Sequence, residues 1–261
     1  MLFSRLFQKP QTQTNRRVCA AMVVSDGFME YVLVFLFSIL KHNPGFSHDL
    51  IILHSRTFSP LSQANQDRIR TLYPRVTFLM VDEDQYARFT PDRRLFAALL
   101  KIEAFRIKNY DTVVFLDTDM LCLGDISYLF ELDVPFAACP AGKDGVKKDT
   151  IANTYRRGQN FNSGVMVIGK PYLSERMHQK ILRGAKSGPH ADQEILNPFF
   201  RFRRIYCLDH RYNYNAIFFW TGDKTDDPGV KILHFAGEKP LERPELQRMR
   251  IWFEYRRAAG I

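Results

Sequence analysis

The sequence contains few cysteines and no long apolar run. Its four cysteines include no CxxC pair, and four thiols in 261 residues do not make a disulfide framework. They are Cys19, Cys122, Cys139 and Cys207. The most apolar segment, from Tyr31 to Leu40, is far shorter than the ~20 residues that a membrane-spanning helix needs. Residues 1–17 lack the apolar core of a signal peptide. We therefore expect buried thiols in a cytoplasmic protein.

The composition is that of a globular protein with an excess of positive charge. Hydrophobic residues make up 46% of the chain and charged residues 25%, which excludes a disordered or fibrous protein. The formal net charge of +9 favours an anionic partner, such as a phosphate, a nucleic acid or an acidic membrane surface. Residues 1–17 carry four basic residues and no acid. They are predicted to form a flexible N-terminal arm ahead of one domain over residues 18–261.

Apolar segments alternate with segments of helical spacing along the first half of the chain. The predicted strands are residues 18–24, 50–54, 76–81, 112–116, 136–139, 165–168, 205–208 and 231–235. The predicted helices are residues 26–40, 59–72, 95–107, 171–184, a helix from residue 191, and 243–257. Ser25 and Asp26 are predicted to cap the first helix, and Gly142 to Gly158 to form a mobile loop. This alternation predicts an α/β fold with a largely parallel sheet.

The segment FLDTDMLCLGDI, residues 115–126, is the sharpest chemical signal. Asp117 and Asp119 follow an apolar strand at its carboxyl end, which is where open α/β sheets bind their ligands. Two carboxylates one residue apart can reach a single hard cation such as Mg²⁺ or Mn²⁺. A turn in which both acids cap backbone amides remains the alternative for this motif alone.

Three further groups of polar residues lie at the ends of predicted strands and helices. His234 ends the strand KILHF, and Gly237 and Lys239 follow in a turn that could present an imidazole and an ammonium group to one diphosphate. Asn162-Ser163-Gly164 leads into the strand VMVI, and Asp192-Gln193 opens a helix.

These motifs together resemble glycosyltransferase family 8. The matching segments, in order and spacing, are VVSDGFMEYVLVFLFSILKHNPG, VVFLDTDMLCLGDI, FNSGVMVI, ADQEILN and HFAGEKP. The resemblance runs from about residue 18 to residue 240, and that family includes glycogenin and bacterial lipopolysaccharide α-glycosyltransferases. It implies a GT-A fold: a Rossmann-like, mostly parallel sheet with helices on both faces and a small second sheet.

The resemblance implies a metal-dependent UDP-sugar site. Asp117, Asp119 and His234 would ligate Mn²⁺ (or Mg²⁺), and the imidazole suits Mn²⁺ somewhat better. Gly237 and Lys239 would hold the diphosphate through a backbone amide and a positive charge.

The resemblance also assigns residues to the nucleoside and the donor sugar. The residues expected at the uridine are Val23, Val24, Ser25, Asp26 and, as a stacking aromatic, Phe28. The remaining donor-site residues are Lys101, Thr118, Asn162, Ser163, Asp192 and Gln193. Arg93 and Arg94 are further candidates between which the sequence does not choose.

The expected reaction is transfer of a hexose (glucose, galactose or N-acetylglucosamine) with retention of anomeric configuration. The metal, Lys239 and the amide of Gly237 would stabilise the departing UDP. A double displacement would need a carboxylate nucleophile, for which Asp192 is the nearest candidate, since Gln193 is a poor nucleophile. A front-face substitution, with Asp192 binding the sugar, is the preferred mechanism.

The chain departs from the family pattern on the acceptor side. Leu241 stands where the family has an aromatic residue after Lys-Pro, and Trp252 or Tyr255 is expected to fill that space. The basic loop KDGVKKDTIANTYRR, residues 143–157, is interpreted either as a lid over the donor or as a solvated insertion.

The acceptor is expected to be a glycan or a phosphorylated glycolipid at an anionic membrane, as in lipopolysaccharide or capsule assembly. The basic arm, the basic closing helix and the basic-aromatic stretch from Phe199 to Tyr214 favour this interpretation. A glycogenin-like self-glucosylating enzyme is the alternative. A nucleic-acid-binding protein and an inactive scaffold are remote alternatives, so no nucleic-acid partner is expected. Family 8 enzymes are often dimers, which leaves a homodimer open.

Overall fold

The computed structural model describes residues 16–86, 89, 93–141, 152–184, 192–219 and 229–261, with the backbone alone at residues 93–95 and 218–219. Its strands are β1 (Val18–Val23), β2 (Asp49–Ser55), β3 (Val76–Val81), β4 (Thr112–Leu116), β5 (Met120–Cys122), β6 (Phe136–Pro140), β7 (Thr154–Arg156), β8 (Phe161–Gly169), β9 (Ile205–Cys207), β10 (Tyr214–Asn215) and β11 (Ile232–His234). Its helices are α1 (Met29–His42), α2 (Gln63–Leu72), α3 (Arg93–Leu100), α4 (Ser127–Glu131), α5 (Glu175–Arg183), α6 (Asp192–Phe200), α7 (Ala216–Phe219) and α8 (Arg250–Ala258).

The described strands form a large sheet in the order β3-β2-β1-β4-β8-β6-β9-β7. The first four strands are parallel to one another, and β8 is antiparallel to both β4 and β6. The chain builds outward from β1 through β2 to β3 and then returns to place β4 on the other side of β1. The carboxyl ends of β1 and β4 therefore flank the point where the strand order reverses, which is the usual ligand site of such sheets.

Successive residues of the central strands pack on opposite faces of the large sheet. In β4, Val113 and Phe115 belong to one buried cluster, and Val114 and Leu116 belong to the other. Strands buried on both faces are nearly continuous in apolar residues, which explains the run TVVFL. The main core thus lies in two layers between the sheet and its helices.

A small second sheet continues from the end of β4. It has the order β10-β11-β5, with β5 antiparallel to β11. Leu121 and Leu233 of this sheet pack in a third cluster with Trp252 of α8, and all three side chains are fully buried. Helix α8 therefore closes the back of the second sheet. These features confirm the predicted α/β fold with a large, mostly parallel sheet and a small second one.

Several predicted elements differ from the observed ones. The predicted helix 95–107 is α3 followed by a 3-10 helix, Lys101–Arg106. Residues i and i+3 eclipse in a 3-10 helix, and Glu103 accordingly pairs with Arg106 at 3.1 Å. The predicted loop 142–158 contains β7, which pairs with β9, and residues 142–151 of that loop lie outside the described residues. The closing helix begins at Arg250, seven residues later than predicted.

The prediction that Ser25 and Asp26 cap the first helix is wrong. Ser25 makes no side-chain capping hydrogen bond. The Asp26 carboxylate instead accepts hydrogen bonds from the backbone and hydroxyl of Ser62 and from Asn65 Nδ2, at 2.8, 3.1 and 2.8 Å. These donors lie at the start of α2, and they lower the pKa of Asp26 although burial alone would raise it.

Residues 1–15 of the predicted arm lie outside the described residues. The two residues that follow contact the folded chain: Arg16 donates to the carbonyl of Phe130 at 2.7 Å, and the amide of Arg17 donates to Asp111 at 3.0 Å. All four cysteines are free and buried, as expected. None of the helices in the described ranges combines the length and apolarity required to span a bilayer.

Candidate active site

A cavity of about 340 Å³ opens where the large sheet meets the second one. The carboxyl ends of β1 and β4, the amino end of β8 and the carboxyl end of β11 all reach it. Two backbone hydrogen bonds join these elements: the amide of Asp117 donates to the carbonyl of Gly164 at 2.8 Å, and that of Phe235 to the carbonyl of Asp119 at 2.9 Å. Strand pairing therefore brings together motifs that are far apart in sequence.

Asp117, Asp119 and His234 form a cluster at the base of the cavity. One ligand atom from each residue lies within 4.8 Å of the other two. His234 Nε2 is 3.4 Å from Asp119 Oδ1 and 3.9 Å from Asp117 Oδ2. The other ring nitrogen, Nδ1, is 2.7 Å from Asn213 Oδ1. The imidazole is thus oriented with Nε2 toward both carboxylates.

Two ammonium groups flank this cluster. Lys101 Nζ lies 3.0 Å from Asp117 Oδ1 and 3.2 Å from Asp192 Oδ2. The Ser163 hydroxyl donates to the same Asp192 oxygen. On the opposite side, Lys239 Nζ pairs with an oxygen of Asp119. Buried carboxylates and lysines in such contact neutralise one another, as groups withdrawn from water must.

The charges in this cluster shift the pKa values of its members. Burial by itself would lower the pKa of Lys101, but Asp117 and Asp192 outweigh it and raise the value. Burial would also raise the pKa of Asp119, but His234 and Lys239 hold it well below the usual range. Lys101 therefore stays positive and Asp119 negative near neutral pH.

The two carboxylates of the DxD motif are not electrostatically equivalent. Burial raises the pKa of Asp117, the Lys101 ammonium opposes this, and the charge on Asp119 adds to the rise. An additional positive charge between the two carboxylates would relieve this repulsion.

Two glycines have conformations or contacts that a side chain would disturb. A Cβ on Gly164 would lie 2.6 Å from His234 Cε1 and 2.8 Å from its Nδ1, so only glycine lets the imidazole lie against this strand. Gly237 has a φ of +88° in the turn after β11, a left-handed conformation that glycine adopts without strain.

Most residues predicted from the motifs line this cavity. They are Val23, Ser25, Phe28, Lys101, Asp117, Thr118, Asp119, Asn162, Ser163, Asp192, Gln193, His234, Gly237 and Lys239. Val24 and Asp26 do not: the Val24 side chain is buried in the core, and Asp26 is bound to Ser62 and Asn65. The side chains of Arg93 and Arg94 lie outside the part of the chain that the structure describes.

Neither Trp252 nor Tyr255, the aromatic residues expected to fill the space beside Leu241, lines the cavity. Trp252 is fully buried against Tyr31, with ring centroids 5.3 Å apart, and Tyr255 contacts His42 Nε2 through its hydroxyl at 2.6 Å. The apolar face of α8 packs against the second sheet, and the Tyr31 hydroxyl, beside Trp252, accepts a hydrogen bond from the Leu241 amide at 3.2 Å. Leu241 itself is 42% exposed.

Other lining residues were not singled out from the sequence. Ala97 and Ala98 of α3 form part of the wall, and Ala236 lies in the turn after β11. Small apolar residues carry no chemical signature, so only their position in the fold identifies them. Asn213 was also missed, and its contact with His234 depends on the pairing of β10 with β11.

The donor set fits a divalent cation. Two carboxylates and an imidazole nitrogen are ligands that Mn²⁺ accepts, and Mg²⁺ prefers oxygen. The contact with Asn213 also fits, because it occupies Nδ1 and leaves Nε2 as the ring nitrogen that faces the carboxylates. These three residues are therefore the ones that could hold a metal.

The fold is that of the GT-A glycosyltransferases. The crystal structure of galactosyltransferase LgtC in complex with donor and acceptor sugar analogues superposes with a TM-score of 0.71 at 18% identity, covering 92% of this chain and 95% of LgtC. The structure of glycosyltransferase GlyE from Streptococcus pneumoniae gives a TM-score of 0.67 at 20% identity, covering 93% and 60% of the two chains.

The sequence comparisons give the family. The model of glycosyl transferase family 8 matches residues 19–242, so the chain belongs to that family. GlyE is 29% identical over 160 residues, which are 56% of this chain. The UDP-glucuronate:xylan alpha-glucuronosyltransferase 1 of Arabidopsis thaliana is 25% identical over 75% of this chain. The aligned regions cover only 37% and 28% of these two relatives.

Proposed function

We propose that the protein transfers a hexose from a UDP-sugar to a glycan or glycolipid acceptor, with retention of anomeric configuration and with a divalent metal. The observation that carries this proposal is the cluster of Asp117, Asp119 and His234 between the ammonium groups of Lys101 and Lys239. Such a site suits a metal diphosphate, because its acidic groups can bind the metal while an ammonium group contacts the phosphates.

The chain's own residues would bind the donor along the cavity. Val23, Ser25 and Phe28 lie at the end of β1, where the uracil ring can stack on Phe28. When bound, the metal supplies Lewis-acid stabilisation of the diphosphate that leaves. The Lys239 ammonium and the backbone N–H of Gly237 would stabilise the same departing diphosphate by charge and by hydrogen bonding, so no general acid is needed.

The contacts of Asp192 support a front-face substitution. A double displacement would need this carboxylate free to attack the anomeric carbon. One of its oxygens is already bound by the Lys101 ammonium and the Ser163 hydroxyl. Asp192 is better placed to hold a sugar hydroxyl with its other oxygen, next to Gln193.

Calorimetric titration of UDP with and without Mn²⁺ tests the metal site. We expect Mn²⁺-dependent binding, and we expect Asp119→Asn to weaken it by at least about 100-fold, because a buried charged ligand is lost. Asp125→Asn, just beyond β5, is the control and should bind like wild type. No UDP binding by wild type under any metal would contradict the proposed function.

A panel of UDP-sugars would then identify the donor by hydrolysis and transfer. The panel should contain UDP-glucose, UDP-galactose and UDP-N-acetylglucosamine. UDP-glucuronate belongs in it because the Arabidopsis relative is named for that donor. NMR of the product distinguishes retention from inversion, and an inverted product would rule out the mechanism.

We propose that the acceptor lies at an anionic surface. The reason is an arginine patch at the edge of the large sheet that β7 and β9 form. The patch consists of Arg156, Arg157, Arg201, Arg203 and Arg204, with the aromatic rings of Tyr155 and Phe202. None of the five guanidinium groups pairs with an acid in the described ranges, and Phe202 is 78% exposed. Arginine beside exposed aromatic rings is typical of surfaces that bind anionic lipid.

Sedimentation with phospholipid vesicles tests this patch. Arg201→Glu/Arg204→Glu should lose binding to anionic vesicles and keep its hydrolysis of the UDP-sugar. Arg176→Glu/Lys180→Glu on α5 makes the same change in net charge and should still bind. Equal binding by both double variants would mean that net charge, and not this patch, governs the contact.

A further inference from the structure

We infer that Asn213 and Asn162 form a hydrogen-bonded relay that fixes the tautomer and orientation of His234 for metal binding. Asn213 is a positioning residue in this inference, because it acts only through the imidazole. The inference rests on the proposed metal site, and the experiments below distinguish its failure from the failure of that site.

The direction of the relay is set by a backbone amide. The Gly164 N–H donates to Asn162 Oδ1 at 2.8 Å, so that atom must be the acceptor oxygen of the side chain. Asn213 Nδ2 donates to the same oxygen at 2.8 Å. The amide group of Asn213 is thereby oriented with its oxygen toward His234.

The last step of the relay places the proton on the imidazole. Asn213 Oδ1 lies 2.7 Å from His234 Nδ1, and an oxygen acceptor there requires that Nδ1 carry the hydrogen. Nε2 is then the ring nitrogen left for a cation, and it faces Asp119 and Asp117 at 3.4 and 3.9 Å. A metal that binds there replaces any proton on this nitrogen.

Packing against β8 reinforces the orientation. The His234 ring lies directly over Gly164, where even a methyl group would come within 3 Å of it. Gly164 thus supplies both the amide that begins the relay and the space that the ring occupies. Because Asn162 Oδ1 already accepts two hydrogen bonds, we assign this oxygen to the relay.

Metal affinity in matched variants is the first test. Asn213→Leu should weaken Mn²⁺ binding by about 10–100-fold, which is typical for loss of a residue that orients a metal ligand. Asn213→Asp keeps an oxygen acceptor at Nδ1 and should bind Mn²⁺ more tightly than Asn213→Leu. Asn197→Leu is the control: it also removes two hydrogen bonds at the start of β8, both to Phe161, but leaves His234 untouched.

The tautomer itself can be read without any metal. In ¹H–¹⁵N spectra of the metal-free protein, the His234 signals should show a proton on Nδ1. Loss of those signals in His234→Gln assigns them. Asn213→Leu should populate the Nε2–H form, and Asn197→Leu should not.

Two results would overturn the relay: a predominant Nε2–H tautomer in the wild type, or wild-type Mn²⁺ affinity in Asn213→Leu. Failure of the wild type to bind Mn²⁺ would instead contradict the proposed metal site. In that case the spectra would still show whether Asn213 fixes the proton on His234 Nδ1.

Discussion

At the scale of single residues, the candidate site depends on a glycine, Gly164, at the start of β8. Gly164 has no Cβ, and the space that one would fill is taken by the His234 imidazole. The neighbouring residues Asn162 and Ser163 carry the polar side chains, whereas Gly164 contributes its backbone groups and the space for the ring. Because this position has no side chain, His234 of the second sheet can approach the polar groups that the large sheet supplies.

Replacing this glycine should displace the histidine. Gly164→Ala is expected to reduce Mn²⁺ affinity by about 10-fold or more, because a Cβ 2.6 Å from the ring forces the imidazole to shift or rotate away from Asp117 and Asp119. Isothermal titration with Mn²⁺ measures the change. Gly45→Ala, in open space after α1, is the control, and equal affinities of the two variants would show that the ring tolerates the methyl group.

At the scale of elements, the wall of the cavity is supported by a carboxylate outside it. Glu83 follows β3 and accepts hydrogen bonds from the backbone amides of Thr57 and Phe58, each at 2.9 Å, in the connection from β2 to α2. The Phe58 ring stacks on Phe96 of α3 with centroids 4.0 Å apart. The next two residues of α3, both alanines, line the cavity. Glu83 therefore supports this wall indirectly, because it fixes the segment that carries the Phe58 ring.

The pH dependence of stability should reflect this contact. Burial by itself would raise the pKa of Glu83, but hydrogen bonds from Ser55, Thr57 and Phe58 outweigh it and lower the value. A carboxyl group with a lowered pKa in the folded state stabilises it above the unfolded pKa of about 4.3, and this stabilisation disappears as the pH falls through the folded value.

We expect Glu83→Gln to lower the free energy of unfolding by about 1.5–3 kcal/mol at pH 7. The difference from wild type should narrow as the pH is lowered from 5 toward 3. Urea denaturation across that range measures it. The exposed Glu254→Gln on α8 is the control, and a pH-independent difference for Glu83→Gln would show that the carboxylate charge is not involved.

At the scale of the whole molecule, the cavity joins the two sheets. The large sheet supplies Asp117 and the 3-10 helix beside it supplies Lys101, whereas β11 and the following turn supply His234 and Lys239. A ligand that binds all four stabilises the contact between the sheets, and it cannot bind a chain in which they have separated.

Saturating Mn²⁺ and UDP should therefore raise the melting temperature. A ligand at 100 times its dissociation constant adds about 2.7 kcal/mol, which corresponds to roughly 5–10 °C for a protein of this size. Scanning fluorimetry with and without EDTA measures the shift. Asp119→Asn should show little of it, and an EDTA-resistant shift would mean that UDP binds without a metal.

Much of the fold and the site could be predicted from the sequence because the signals were local. The apolar run of β4 and the aspartates that follow it lie within eight residues, so periodicity placed both carboxylates at a strand end, and the resemblance to family 8 supplied their expected role. Asn213 and the alanines of α3 could not be predicted in the same way, because their roles come from strand pairing and helix packing. Asp26 was misjudged since its partners at the start of α2 are 36–39 residues away.

The contact between Lys239 and Asp119 joins residues 120 positions apart in the chain. Closing so long a loop is entropically costly, and contacts of this separation form slowly. The short strand β11 can pair with β5 only once the intervening segments have collapsed. We therefore expect refolded chains to acquire most of their far-ultraviolet circular dichroism before they acquire nucleotide affinity, so that ligand binding reports the last stage of folding.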